Sequence, residues 1–232
     1  MIGLEYMHNS GVIHRDIKPE NLLLEANGYV RITDLGISRI WTPDNAHDTS
    51  GTPGYMAPEV MCRQNHGVSV DYFALGVITY EFMYGKRPYF GKSRKEIRDA
   101  IFSKQIQIRK SDLPEGWSME AADFVNKLLQ RKPANRLGQN GPTEVKNHSW
   151  LKNVNWQAIC EKKFMPPFIP DTRPALKDKS EEKEKLSKDQ LEEAMLLLRR
   201  NSIQKLFNGY EFDIEKLHHA LKQAQRKKKI IN

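Results

Sequence analysis

The run His14-Arg15-Asp16-Ile17-Lys18-Pro19-Glu20-Asn21 gathers ionisable and hydrogen-bonding side chains into one short stretch, and Asp34-Leu35-Gly36 begins thirteen positions after Asn21. A carboxylate can take a proton, and an ammonium two residues along can neutralise an anion. An amide oxygen and a second carboxylate are hard donors that suit a hard divalent cation. Such groups do chemistry together only if the chain brings Asn21 and Asp34 to one place. The residues between them supply a means. Leu22-Leu23-Leu24 and Tyr29-Val30-Arg31-Ile32 read as two strands around Asn27-Gly28, a hairpin turn signal.

The flanking elements must hold that hairpin. Residues 1–9 read as the end of a helix, with Ile2, Leu4 and Met7 near one face and Asn9-Ser10-Gly11 as its stop. Val12-Ile13-His14 is a short apolar segment. Residues 34–58, rich in Gly, Pro, Ser and Thr, read as one long loop, and loops of that length inside a domain are usually functional. From Asp71 the pattern is helical, and Phe73 to Met83 is apolar nearly all round, as in a central buried helix. Ser93 to Phe102, Met119 to Leu129, and Thr143 to His148 with Thr143 as its cap read as amphipathic helices. This part is mainly helical, hung beneath a small hairpin. Phe164 to Pro170 excludes regular structure because its prolines remove donors and fix φ. Residues 171–190 are Lys- and Glu-rich and read as a linker. Beyond it, Asp189 with Glu192 marks a helix start, Asn208-Gly209 its end, and Asp213 the cap of a last helix.

Composition limits the alternatives. The chain has 232 residues, 39% of them hydrophobic, which supports one domain with an extension and excludes full disorder. Cys62 and Cys160 cannot build a disulfide framework, so a reducing compartment and a cytoplasmic location are expected. The start carries Glu5 and lacks a long apolar core, so no signal peptide is read there. The most apolar stretch, Phe73 to Tyr84, is short and broken by Glu81, which excludes a transmembrane segment. The net charge is +8, and much of the excess follows Leu151, ending in Arg226-Lys227-Lys228-Lys229. No aromatics interleave with these lysines, so a solubilising tail is favoured over a nucleic-acid site.

The ordered set from His14 to Asn21, then Asp34-Leu35-Gly36, then Ala57-Pro58-Glu59, resembles the catalytic loop, metal-binding motif and activation-segment end of eukaryotic protein kinases. The match continues through Asp71 to Gly76 and Arg136, over about residues 1–151. It implies the helical large lobe of a kinase, with its short catalytic hairpin, and transfer of the γ-phosphoryl group of ATP to a protein hydroxyl. That chemistry needs positioning and charge neutralisation more than covalent catalysis. By resemblance, Asp16 is the catalytic base and Lys18 contacts the transferring phosphate. Asn21 and Asp34 hold Mg²⁺, Leu23 lies under the adenine, and Thr52 ties the activation segment to Asp16 and Lys18. Asp-Ile-Lys-Pro-Glu-Asn is the serine/threonine form of the motif, and Ile37 leans toward a Thr acceptor or is simply packed. His14 and Leu35 match the family's apolar spine. Glu59 and Arg136 match a buried ion pair, and Asp71 matches a residue that receives catalytic-loop N–H groups.

The resemblance extends to regulation and substrate choice. Where many relatives carry a phosphorylated Thr that pairs with the catalytic-loop arginine, here Arg15, this chain has Asp48. Asp48 then partly replaces the phosphate, or Thr49 or Ser50 is phosphorylated instead. Glu20 and Glu81 match acidic positions that take basic residues ahead of the acceptor, so the expected partners are basic protein substrates. Glu81 interrupts an apolar helix and needs a partner, with an internal basic residue as the alternative to a substrate Arg. Arg199-Arg200-Asn201-Ser202 is itself such a basic acceptor sequence, which makes Ser202 a regulatory candidate or an exposed helical Ser.

After the lobe, Trp156 to Ile159 and Pro166 to Pro170 resemble the tail of the AGC group of kinases. Phe207-Asn208-Gly209-Tyr210-Glu211-Phe212 resembles that group's hydrophobic motif, or a helix end and turn. The organisation expected is therefore a lobe over 1–151, an extended tail with one or two short helices over 152–212, and a basic terminus over 213–232. No Gly-rich loop, strand lysine or helix glutamate of the family's small lobe occurs in the sequence, so the chain is expected to be a fragment inactive alone. The alternative is a non-catalytic lobe that scaffolds other proteins.

Overall fold

The structure, a computed structural model, describes residues 1–171. Ser202, the 207–212 motif, the helices expected after 190 and all but the first residue of the 171–190 linker lie outside the described residues. The architecture is mainly α, with two small two-stranded sheets. Helix α1 (Ile2–Asn9) leads into β1 (Val12–Ile13). The hairpin forms as expected from β2 (Leu22–Leu24) and β3 (Val30–Ile32), antiparallel with Leu22 opposite Ile32 and Leu24 opposite Val30.

The segment expected to be one loop over 34–58 differs. It contains β4 (Arg39–Ile40), whose residues pair antiparallel with β1 so that Ile13 faces Arg39. Two residues have no periodicity of their own, and the pairing partner lies far back in the chain. Helix α2 (Pro58–Met61) closes the segment.

Helix α3 (Ser69–Tyr84) is the centre of the core. Tyr72, Phe73 and Val77 are fully buried, and α5 (Met119–Leu128), whose Ala121, Val125 and Leu128 are also fully buried, packs on α3. Gly76 permits that approach, because a Cβ there would lie 2.7 Å from Leu128 Cβ. The helix ends at Gly85, whose φ of 69° is the left-handed cap conformation that glycine adopts without penalty. Helix α4 (Arg94–Ser103) starts at Ser93, whose hydroxyl accepts the Glu96 N–H. Helix α6 (Pro142–Lys146) begins one residue earlier than expected. Its cap is Gly141, not Thr143, because Pro142 is preorganised for the first helical position and its missing N–H costs nothing there. Among the described residues no helix is long and apolar enough to cross a membrane.

Helix α7 (Trp156–Cys160), capped by Asn155, precedes the proline-rich strap, which has no regular structure as expected. The strap lies on the hairpin turn. The Tyr29 hydroxyl donates to the Phe164 carbonyl at 2.7 Å, and Lys162 stands 3.4 Å from Glu25. Gly28, with φ 83°, makes the turn and leaves room for the strap, since a Cβ there would collide with the Phe168 carbonyl and the Pro166 ring.

One buried ion pair ties the loop segment to the helical core. Arg136 Nη1 and Nη2 donate to the two carboxylate oxygens of Glu59 at 2.6 and 2.9 Å. The remaining guanidinium N–H groups reach the carbonyls of Ser69, Gln130 and Arg131, and the group lies 5.0 Å over the Phe73 ring. All five donors are therefore used, which is what a buried arginine requires. Arg136→Ala strands Glu59 and is expected to cost about 3–5 kcal/mol in urea unfolding. A loss under about 1 kcal/mol would contradict this account of the anchor.

Candidate active site

The site begins with a backbone that is held in an unusual shape. Arg15 has φ 70°, a left-handed conformation that costs a non-glycine residue about 1–2 kcal/mol. The Asp71 carboxylate, from the first turn of α3, holds it there. Its Oδ2 accepts the His14 N–H at 2.9 Å and its Oδ1 the Arg15 N–H at 2.8 Å. His8 Nε2 lies 2.8 Å from the same Oδ2, and His8 Nδ1 lies 3.1 Å from the Tyr72 hydroxyl. Asp71 is 1% exposed, so these contacts replace water entirely.

Asp16, the next residue, is thereby fixed. Its Oδ1 accepts the Thr52 hydroxyl at 2.7 Å and the Thr52 N–H at 3.0 Å. Its Oδ2 lies 2.8 Å from Lys18 Nζ and accepts the Asn21 amide at 3.1 Å. Lys18 Nζ also donates to Thr52 Oγ1 at 2.8 Å. The four residues Asp16, Lys18, Asn21 and Thr52 are therefore one hydrogen-bonded cluster. Burial pushes the Asp16 carboxyl up, but the Lys18 ammonium and the two Thr52 donors outweigh it and hold the group below the usual carboxylate range.

The hairpin joins the rest. Asn21 spends its amide N–H groups on the carbonyl and side chain of Asp16, which leaves its Oδ1 as the atom available to a cation. The Thr33 N–H closes on the Asn21 carbonyl at 2.9 Å just past the last ladder pair, so Asp34 follows beside Asn21. His14 secures the same corner, with Nε2 3.0 Å from the Thr33 carbonyl and Nδ1 accepting the Asp16 N–H at 3.2 Å. One neutral tautomer, with the proton on Nε2, satisfies both bonds. Asp34 also has positive φ, 63°, and its Oδ1 accepts the Gly36 N–H at 3.1 Å. The side chain is exposed and keeps oxygen lone pairs for a ligand. An amide oxygen and one carboxylate are oxygen donors of the kind that would suit Mg²⁺, a hard cation.

The other expected residues fall around this cluster. Leu23 is 54% exposed, and it stays outside a cleft of about 960 Å³ lined by Leu22, Val30, Ile32, Met1 and Trp156, because successive side chains of a strand point to opposite faces. Leu35 is 60% exposed in the same cleft, whereas His14 is fully buried, so the two do not share a packed core here. Glu20 is exposed. Glu81 has a partner, but not a basic one: its Oε2 accepts the Tyr55 hydroxyl at 2.7 Å. Arg15 is buried, its Nε donates to the Ile37 carbonyl at 2.7 Å, and its Nη1 and Nη2 make no hydrogen bond. Asp48 Oδ2 stands 3.3 Å from Nη1, close enough for charge attraction but poorly aligned, and 3.9 Å from Arg39 Nε. The Thr49 carbonyl accepts from Arg94 at 3.2 Å.

The reading of the sequence missed His8, Tyr55 and Arg87. His8 follows Leu4 by one helical turn on the buried face of α1, a spacing that could have marked it. Tyr55 and Arg87 come from opposite ends of a long sequence separation and leave no local sign.

Comparison with known proteins gives consistent relatives. The protein kinase domain model matches residues 1–151. A cAMP-dependent protein kinase, catalytic subunit-like, of Caenorhabditis elegans is 38% identical over 170 residues, covering 72% of this chain and 41% of that protein. Ribosomal protein S6 kinase alpha-1 of Homo sapiens is 38% identical over 173 residues, covering 73% of this chain and 23% of that protein. The chain thus spans less than half the length of these curated relatives.

The cluster makes a direct expectation about protonation. Thr52→Ala removes one of the donors that keep Asp16 ionised, so the Asp16 carboxyl should titrate at higher pH than in the wild type. ¹³C NMR of the side-chain carboxyl across the acid range reads this, and an unchanged titration would show that Thr52 does not tune Asp16.

Proposed function

The chain belongs to the eukaryotic serine/threonine protein kinase family, AGC-like in its relatives, and we propose from that premise that it is the large lobe of an enzyme that phosphorylates Ser or Thr on proteins. The observation that carries the reading is the Asp16–Lys18–Asn21–Thr52 cluster with Asp34 at the adjoining hairpin end. In this reading Asp16 accepts the hydrogen bond of the substrate hydroxyl and takes its proton, and its lowered pKa keeps it ionised to do so. Lys18 neutralises charge on the transferring phosphate. Asn21 and Asp34 would hold Mg²⁺, which when bound offsets the charge of the ATP phosphates. Thr52 positions both Asp16 and Lys18.

Leu23 gives the adenine an apolar floor. The exposed apolar face of the hairpin supports a further element, a small lobe in cis, as the opposite wall of the nucleotide site. The greater length of the relatives supports the same arrangement.

The substrates proposed are proteins with basic residues ahead of the acceptor, which Glu20 and Glu81 would receive. Asp48 serves as a permanent partial substitute for an activating phosphate. The support is its 3.3 Å approach to Arg15 Nη1, which with Nη2 makes no hydrogen bond. A cytoplasmic location fits this reading.

The test is transfer of radioactive γ-phosphate from ATP to basic Ser peptides by the full-length protein that contains this chain. Asp16→Asn is expected to lower the rate by about 10²–10⁴-fold with the fold intact. A properly folded wild type that labels nothing would overturn the reading. In the same assay Asp48→Ala should lower activity by about 2–10-fold. Equal activity would assign activation to Thr49 or Ser50 and remove Asp48 from the account.

A further inference from the structure

Arg87 follows the turn at the end of α3, and its guanidinium lies 5.5 Å over the ring of Tyr55. Stacking on an aromatic face is a favourable seat for a guanidinium, because the ring carries negative charge on its face. The seat has a second requirement. The guanidinium passes directly over Gly54, where any Cβ would overlap Arg87 Nη1. Glycine is therefore the residue that lets this arginine lie down. The position is half-buried, yet among the described residues Arg87 has no carboxylate within ion-pair distance.

The place of this seat gives it meaning. Tyr55 donates its hydroxyl to Glu81, so one ring bears a carboxylate at its tip and a cation on its face. Burial, the Glu81 bond and the charges of Glu81 and Glu20 raise the Tyr55 phenol, and Arg87 opposes them, so all four groups share one electrostatic environment. The backbone links it to the reacting centre. The Tyr55 N–H donates to the carbonyl of Thr52 at 2.9 Å, and the Thr52 hydroxyl is on Asp16. The group therefore stands one residue link away from the side chain proposed to receive the substrate hydroxyl.

We propose that Arg87, seated on Tyr55 over Gly54, is a specificity-determining residue that puts a positive charge on the ring whose hydroxyl binds Glu81 and so weakens selection for a substrate arginine there. The proposal rests on the kinase reading and deepens it. Glu20, exposed and free of the Tyr55 bond, remains the acidic contact for a basic side chain.

The experiment compares Ser peptides that differ only by Arg or Ala at successive positions before the acceptor. For the wild type, Arg87→Ala and Gly54→Ala, the ratio of kcat/KM for the Arg and Ala peptides is measured at each position. At the Glu81-facing position, Arg87→Ala should raise that ratio by about 3–10-fold. Gly54→Ala should do the same, because the added methyl displaces only the flexible end of Arg87, and the double variant should add nothing further. Fluorescence anisotropy of the same labelled peptides on this chain, which needs no transfer, should show the same change in relative affinity. Ratios that stay flat or fall in both variants overturn the role of Arg87. A wild type that transfers no phosphate sinks the kinase reading instead, and the anisotropy ratios still decide the role of Arg87.

Discussion

Asp71 is the fixed point of the site. Its buried carboxylate takes two consecutive backbone N–H groups, and in doing so holds Arg15 in a left-handed conformation that the chain would otherwise leave. Hydrogen bonds to a buried charge contribute about 1.5–3 kcal/mol each, which outweighs the roughly 1–2 kcal/mol of the strained residue. The turn aims Asp16 toward the hairpin and sends the Arg15 side chain the other way, to the Ile37 carbonyl and Asp48. The Asp16 cluster and the placing of the Arg15 guanidinium are thus two outputs of one constraint. Helix α3 supplies the carboxylate from the most deeply buried part of the core, so the geometry is tied to global packing.

The segment from Asp34 to Glu59 is attached to this frame at a few points. Asp34 and Gly36 turn its start, β4 pairs with β1, and Thr52 binds Asp16 by both its hydroxyl and its N–H. The Glu59–Arg136 pair anchors its end in the helical core. Between these points Asp48 faces the Arg15 guanidinium, of which Nε alone is hydrogen-bonded. A buried cation with unaligned partners is electrostatically incomplete, which makes this the place where added negative charge would have the largest effect.

Local chemistry was readable where a signal was local. Asn27-Gly28 between apolar runs marked the hairpin, Phe73 to Met83 marked the central helix, and the motif residues pointed to Asp16, Lys18, Asn21 and Asp34, whose setting now has distances. The family's large-lobe architecture followed from the same motifs. What was not readable depended on distant partners. β4 exists only because β1 lies alongside it. Pro142 moved the start of α6 away from Thr143 because a proline at the first helical position overrides a weaker cap. Glu81 announced a need by interrupting an apolar helix, but the Tyr55 hydroxyl that meets it could not be named from spacing, and neither could the arginine on the far side of that ring.

Hydrogen exchange of the His14 and Arg15 amides tests this account most directly. If Asp71 holds the catalytic loop as described, both protons exchange only with global unfolding, as slowly as those in the middle of α3. Exchange of these two amides at the rate of an exposed loop residue such as Ser50, while α3 stays protected, would mean that the loop opens on its own and that Asp71 does not set the geometry of the site.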